Sequence, residues 1–400
     1  MPQDRGEAHI RDRGPDRVRD RGDACPGALR LHRADDGALA RLRLPTGVLT
    51  PHQVLVLAET ADRLGDGHLS LTSRGNLELR GLGEGCGLGL AELLRDAGLL
   101  PDSERHERVR NMVVSPLAGA EVRAWSVRLD ALLCAEEWTL ELSGRFLFAV
   151  DDGRGDVAAL APDVTLLAEP SRTALARTAL VRVGRAAYRV AGADAPRAAL
   201  AAAEAFLAAA REAGTGAWRV RELPTGQDVD VAGHLRRASI AAEHVPDAVL
   251  PAGGALAPGL IGASPPGVSV LARLGRVTTA QFRALLPAEE VRVTPWRGFV
   301  LPGFPDRAAA EERLHALDRA GFITRADSPW VGVTACTGRP GCAKSLADVR
   351  ADARPMAVDG GLPVHWSGCA RRCGHPQGAW VDVVATAEGA YQTTVQKPTG

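Results

Sequence analysis

Two hydrophobic rhythms run through the first hundred residues. "GALARLRLPTGVLT" and "HLSLTSRGNLELRGL" alternate apolar and polar positions, which predicts half-buried strands. "PHQVLVLAETADRLG" and "GLAELLRDAGLL" space their apolar residues helically, with Pro51 suited to a first turn and Gly98 to a helix stop. This β-α-β-α order predicts half of a ferredoxin-like α+β unit. The order returns at residues 271–304, "LARLGRVTTAQFRALLPAEEVRVTPWRGFVLPGF", and "AEERLHALDRAGF" supplies the second helix. "LARLRLPTGVLTPHQ" parallels "LARLGRVTTAQ", and "LSLTSRGNLEL" parallels "VRVTPWRGFVL", so the chain reads as an internal duplication. Two paired halves would form one pseudo-symmetric platform with a crevice for a ligand.

Between the copies, "ELSGRFLFAVDD" and "ARTALVRVGRAAYRVA" read as strands, and "PRAALAAAEAFLAAAREAG" as an Ala-rich helix ending at Gly214. The stretch from His244 to Gly267 is rich in Pro, Gly and Ala and reads as a linker. After the second copy, "CAKSLADVRADA" predicts a helix starting at or just after Cys342, its N-terminal dipole facing an anionic group, and "AWVDVVAT" a final buried strand. Residues 1–22 are charged and nearly free of apolar side chains, which predicts a disordered tail. The expected organisation is a tail at 1–22, a ferredoxin-like half repeat at 23–104, an α/β lobe at 105–243, a linker at 244–267, a second half repeat at 268–330 and a second lobe at 331–400.

Lys+Arg and Asp+Glu number 48 each, so no overall field recruits nucleic acid or an anionic membrane. Aromatics make up 4% of the chain, which weakens a case for base stacking. No apolar run approaches a bilayer span and the start lacks a secretory apolar region, so a soluble, cytoplasmic protein is expected. The chain has 7 cysteines, an odd number that does not suit a secreted disulfide framework. Cys25, Cys86 and Cys134 stand alone and are read as small buried hydrophobes.

The other four form Cys336-x5-Cys342 and Cys369-x3-Cys373. Structural zinc favours tight pairs two to four residues apart. A five-residue gap is wide for such a knuckle and comfortable around an iron–sulfur cubane, whose irons are separate attachment points. A cluster is therefore favoured over zinc as the metal centre. Arg74 in "LTSRGNLEL", Arg110 in "RVRNMVVSP" and Arg145 in "LSGRFLFAV" are candidate carboxylate binders, because a guanidinium fork matches a carboxylate. A solvated or surface-paired side chain is the plain alternative for each.

"HLSLTSRGNLELRGL", "RVRNMVVSPLAG", "LSGRFLFAVDDG" and the cysteine pattern occur in the order found in the nitrite/sulfite reductase superfamily, which the chain resembles from about Cys25 to near Tyr391. "ACPGALRLHRADDGALARLRLPTG", "VTPWRGFVLPG", "ACTGRPGCAKSLADVRADA" and "PVHWSGCARRCGHP" are similar to a subgroup acting in aerobic cobalamin synthesis. The resemblance implies an α+β, nitrite/sulfite reductase-like fold with two pseudo-symmetric ferredoxin-like half-domains and α/β cofactor-binding lobes. It places Arg74, Arg110 and Arg145 on the anion-clamp positions and Cys336, Cys342, Cys369 and Cys373 on the ligands of a [4Fe-4S] cluster. It further implies a mononuclear non-haem iron, whose ligands no facial-triad spacing identifies. His365 and His375, which flank the second cysteine pair, are read as structural. The implied substrates are precorrin-3A and O2, the implied product a C20 hydroxyl with a ring-A γ-lactone. Electrons would come from NADH through a separate reductase or ferredoxin, since no Rossmann glycine fingerprint is visible.

Two other readings compete: an assimilatory nitrite or sulfite reductase holding sirohaem, and a non-enzymatic metal module. Leu147 stands where the superfamily's sulfite reductases carry a second lysine and its nitrite reductases a polar residue. Leucine neither donates a hydrogen bond nor delivers a proton, which argues against the small oxyanions.

Overall fold

The computed structural model describes residues 23, 25–170, 177–262, 264–356, 361–376 and 378–397; the tail expected at 1–22 lies outside them. The duplication is visible in two antiparallel five-stranded sheets. The first runs, in spatial order, His32–Ala34, Gly37–Leu42, Leu77–Leu82, His68–Leu71 and Arg276–Thr278. The second runs Gly259–Ile261, Gly267–Leu271, Gly298–Leu301, Val291–Val293 and Val48–Leu49. Each half therefore lends the other its edge strand: Arg276–Thr278 pairs with His68–Leu71, and Val48–Leu49 pairs with Val291–Val293. The exchange closes one core across both copies, with Leu57, Leu79, Val270, Phe299 and Leu301 in a single buried cluster.

The lent strands feed helices that start identically. Thr50 caps Pro51–Leu64 in a capping box with Gln53, and Thr278 caps Thr279–Arg283 in a capping box with Gln281. Gln53 Nε2 donates to Ala97 O at 3.0 Å, and Gln281 Nε2 donates to Ala320 O at 3.1 Å. Both glutamines thus fasten the two helices of their own half together.

The period of two in the first sheet separates its faces. Ala40, Leu79, Leu69 and Val277 lie in register across four strands and are buried in the core. Their neighbours Arg41, Glu78, Ser70 and Arg276 form the adjacent row and so point to the opposite face. That polar face carries the candidate site.

Two further sheets flank the platform. One pairs Met112–Val114, Phe148–Asp151 and Val164–Ala168 in parallel, then adds Thr178–Val183, Ala186–Ala191 and Ala242–His244 antiparallel. The Ala-rich helix Ala195–Ala213 packs on it around Phe146, Phe148 and Phe206. The other sheet pairs Val333–Ala335, Val364–Ser367 and Trp380–Ala387 in parallel and ends with antiparallel Ala390–Gln396.

Two local expectations fail. No long helix follows Cys342; the chain turns, and only Val349–Asp352 is helical, capped by Asp348. Backbone groups that a helix would use are engaged elsewhere: Ala343 N–H donates to the Asp35 carboxylate at 2.6 Å and Leu346 N–H to Gly368 O at 2.8 Å. Trp380–Ala387 is not the last strand, because the exposed Ala390–Gln396 adds one more, with Tyr391 turned to the core.

Candidate active site

A cavity of about 380 Å³ opens beside the polar face of the first sheet, lined in part by Arg41, Arg43, Arg74, Arg145, Cys25 and Trp218. Its guanidiniums arrive from three segments. Arg41 and Arg43 alternate along Gly37–Leu42 and the residue that follows it, Arg74 sits in the hairpin turn after His68–Leu71, and Arg145 precedes Phe148–Asp151. Thr72, Ser73, Asn76 and Asn111 add neutral hydrogen-bonding groups to the lining.

These cations differ in how far they are committed within the protein. Arg41 donates to Glu78 Oε1 through Nε and Nη2, at 2.9 and 2.7 Å. Arg43 is 1% exposed and meets Glu107 at 3.4 Å. Burial pushes the Glu107 carboxyl up, and Arg43 opposes the rise. Arg74 forms no ion pair among the described residues; burial, then the Arg219 and Arg41 charges, lower its pKa to about 10. Arg145 is exposed and lies over the Trp218 ring, 5.1 Å from its centroid. Cations crowded together with too few counter-charges make a hollow suited to an anion with several acidic groups.

Of the three arginines expected from the sequence, Arg74 and Arg145 come together in this lining and Arg110 does not. Arg110 forms a two-pronged pair with Asp130 through Nε and Nη2, at 2.7 and 2.6 Å. The helix Ala120–Ala135 brings that carboxylate to it from behind the strand. Asn111, the next residue, faces the cavity instead. Leu147 is 2% exposed, packed with Val113, Ala149 and Val157.

Arg41, Arg43, Asn111, Cys25 and Trp218 were missed. The signal for the first two was available: arginines two apart within an alternating strand share one face. Cys25 is half-buried and not a plain core residue, since Arg41 Nη1 lies 3.5 Å from its sulfur and Asp23 accepts its N–H at 2.9 Å. Cys86 does pack on the core, and burial pushes the Cys134 thiol up to about 11.

Cys336 follows the parallel strand Val333–Ala335 and Cys369 follows Val364–Ser367, so both pairs start at carboxyl ends of the sheet, where open α/β sheets bind ligands. Burial raises the Cys336 thiol, while Gly368 N–H donates to its sulfur at 3.2 Å. Burial also raises Cys373, followed by the fields of Cys336, Cys369 and Cys342, so the four thiols share one neighbourhood. Among the described residues, the group whose ligand atoms close to within 4.8 Å is Asp151, Asp152 and Asp156, and the thiols stand wider. Four thiols in one neighbourhood are the donor set of a cubane, so the residues present fit one.

His365 is fully buried and uses both ring nitrogens, facing Thr334 Oγ1 at 2.8 Å and Cys373 O at 3.1 Å. His375 stacks on Trp380, ring centroids 5.1 Å apart. Arg372 is paired with the buried Asp382, while Arg371 and Lys344 are exposed.

The cysteine loops touch the platform directly. Arg80 pairs with Asp36 at 2.8 Å and donates to Gly341 O at 3.0 Å, and Arg297 donates to Gly374 O at 2.9 Å. Arg297 in turn feels the Glu78 charge that holds Arg41 in the cavity wall. Cavity and cysteine lobe are thus joined through the polar face of one sheet.

Residues 31–85 match the family model of the nitrite/sulfite reductase ferredoxin-like half domain. The solved structure of the Mycobacterium tuberculosis NirA protein superposes with a TM-score of 0.64 at 16% identity, covering 90% of this chain and 73% of that one. Fold and half domain together define a protein of nitrite/sulfite reductase-like architecture. A ferredoxin–nitrite reductase of Leptolyngbya laminosa is 38% identical over 84 residues, 21% of this chain and 16% of the relative. Along nearly its whole length the chain also resembles a precorrin-3B synthase of Sinorhizobium sp, 28% identical over 391 residues, 92% of this chain and 81% of the relative. No helix among the described residues is long and apolar enough to cross a membrane.

Proposed function

We propose that this protein is a precorrin-3B synthase, catalysing the O2-dependent hydroxylation of precorrin-3A at C20 with closure of a ring-A γ-lactone. The observation that carries the reading is the cavity wall of Arg41, Arg43, Arg74 and Arg145 joined to the cysteine lobe through Glu78 and Arg297. The likeness to the Sinorhizobium enzyme over 92% of the chain supports the same conclusion.

In this reading Arg74 and Arg145 take acetate or propionate groups of the macrocycle. Arg41 and Arg43 are stiffened by Glu78 and Glu107 and hold their guanidiniums in place before substrate arrives. Thr72, Ser73, Asn76 and Asn111 supply neutral hydrogen bonds. Cys336, Cys342, Cys369 and Cys373 would hold a [4Fe-4S] cluster, which supplies one-electron transfer when bound. A mononuclear non-haem iron, NADH-derived electrons through a reductase or ferredoxin, and a cytoplasmic setting belong to the same proposal.

A nitrite or sulfite reductase holding sirohaem is the second reading, favoured by the nitrite reductase match over 84 residues. Buried Leu147 weighs against it, because many protons must reach a small oxyanion during a six-electron reduction. The test is anaerobic purification followed by an absorbance spectrum. A cluster chromophore without a tetrapyrrole band supports the synthase; a bound sirohaem spectrum supports the reductase.

A further inference from the structure

The central hairpins of the two half-domains close in the same way and differ at one telling residue. In the first, Thr72 N–H bonds Asn76 O and Gly75 N–H returns to Thr72 O. In the second, Thr294 N–H bonds Gly298 O and Arg297 N–H returns to Thr294 O. The residue in left-handed backbone is Gly75 in one, at φ 68°, and Arg297 in the other, at φ 59°. Glycine takes this conformation freely, whereas a side chain meets a steric penalty there. Backbone alone would favour glycine at both turns, so the side chain of Arg297 is what the second turn retains.

The path of that side chain is cleared. It crosses Gly275, where an added Cβ would stand 2.4 Å from Arg297 Cδ, and one Nη2 N–H reaches Gly374 O at 2.9 Å, next to Cys373. Among the described residues Arg297 has no carboxylate within ion-pair distance. Glu78, the acid whose charge it feels, is already engaged by two Arg41 nitrogens. Arg350, which repels it, donates to Leu274 O at 3.2 Å and likewise has no acid partner among the described residues. Arg74, on the sister hairpin, is the third such cation. The two hairpins pack together: a Cβ on Gly75 would lie 3.6 Å from Val293 O. Desolvated cations are ordinarily paired in proteins, so those left without an acid here leave room for negative charge supplied by a ligand. The cysteine thiols answer part of that need for Arg350, which feels Cys336, while the charge that Arg297 feels is that of Glu78.

We propose that Arg297 is a specificity-determining residue of the second half-domain, gripping an acidic substituent of a polycarboxylated macrocycle beside the Cys369–Cys373 loop. Its remaining N–H groups form the fork, and the bond to Gly374 O fixes where the fork points. The proposal rests on the tetrapyrrole reading above.

The test is equilibrium binding of uroporphyrin and of coproporphyrin, with eight and four carboxylates, to the full chain, read by tryptophan quenching. Wild type is compared with Arg297→Gly, Arg297→Asn and Arg297→Lys, asparagine being tolerant of left-handed backbone. The expected result is a thermal midpoint unchanged or raised in Arg297→Gly, with uroporphyrin affinity about tenfold weaker in the Gly and Asn variants and only partly restored by Lys. The preference for uroporphyrin over coproporphyrin shrinks in parallel, which a merely structural role would not produce. Wild-type-like affinity and preference in the Gly and Asn variants would overturn the proposal while leaving the tetrapyrrole reading standing. A sharp fall in the thermal midpoint of both, with preference intact, would overturn it in favour of a structural tie to the cysteine loop. Absence of binding by wild type itself would sink the tetrapyrrole reading and this proposal with it.

Discussion

Arg74 and Arg110 look alike in sequence, each an arginine beside a small or amide residue at a strand terminus, yet their surroundings assign them different work. Arg74 is desolvated and unpaired among the described residues, whereas the pair with Asp130 outweighs burial and raises the pKa of Arg110. Arg74→Ala is expected to weaken tetrapyrrole binding by roughly tenfold with little loss of stability, since it removes a half-buried charge with no ion-pair partner among the described residues. Arg110→Ala is expected to destabilise the fold by roughly 1–3 kcal/mol and to leave affinity nearly unchanged. Urea midpoints and binding isotherms on the two variants separate these outcomes.

Asp156 gives the residue scale its pH signature. Burial, then the neighbouring Asp151 and Asp152 charges, raise its pKa to about 6 against the opposing bond from Ser115. The folded chain therefore holds a proton that the unfolded chain has released between about pH 4 and pH 6. Its stabilising contribution is complete below that window and is lost as pH rises through it. Thermal midpoints of wild type should fall relative to Asp156→Asn across the window; parallel curves would contradict the assignment.

At the scale of elements, the duplication makes a paired prediction. Gln53 and Gln281 play the same two parts, closing a capping box and fastening a second helix through a carbonyl. Gln53→Ala and Gln281→Ala should each cost about 1 kcal/mol in a chemical denaturation series, and by similar amounts. The strand and helix rhythm made the two halves legible, because periodicity reports which face is buried. The reciprocal loan of edge strands was not legible, since Val48–Leu49 and Arg276–Thr278 are short and nothing local names their partners. The helix expected after Cys342 failed for a related reason: tertiary bonds from Asp35 and Gly368 hold the loop open. Spacing showed that four thiols belong together, but Trp218 reached the cavity from a distant segment through the buried Arg219–Asp163 pair beside it, which no motif announces.

At the scale of the molecule, the first sheet divides the labour. One face closes the core shared by both halves; the other sets arginines against a lobe with four clustered thiols. That division sets an arginine-lined cavity beside the cysteine lobe, the arrangement on which the proposed meeting of an acidic macrocycle and a redox centre rests. The most direct measurement is anaerobic purification with cluster content assayed, followed by incubation with precorrin-3A, a reductant and isotopically labelled O2, and mass spectrometry of the tetrapyrrole. The account predicts a product heavier by one oxygen atom that carries the label, formed only when iron and sulfide are retained. Unchanged precorrin-3A in the presence of an intact cluster, reductant and O2 would contradict it.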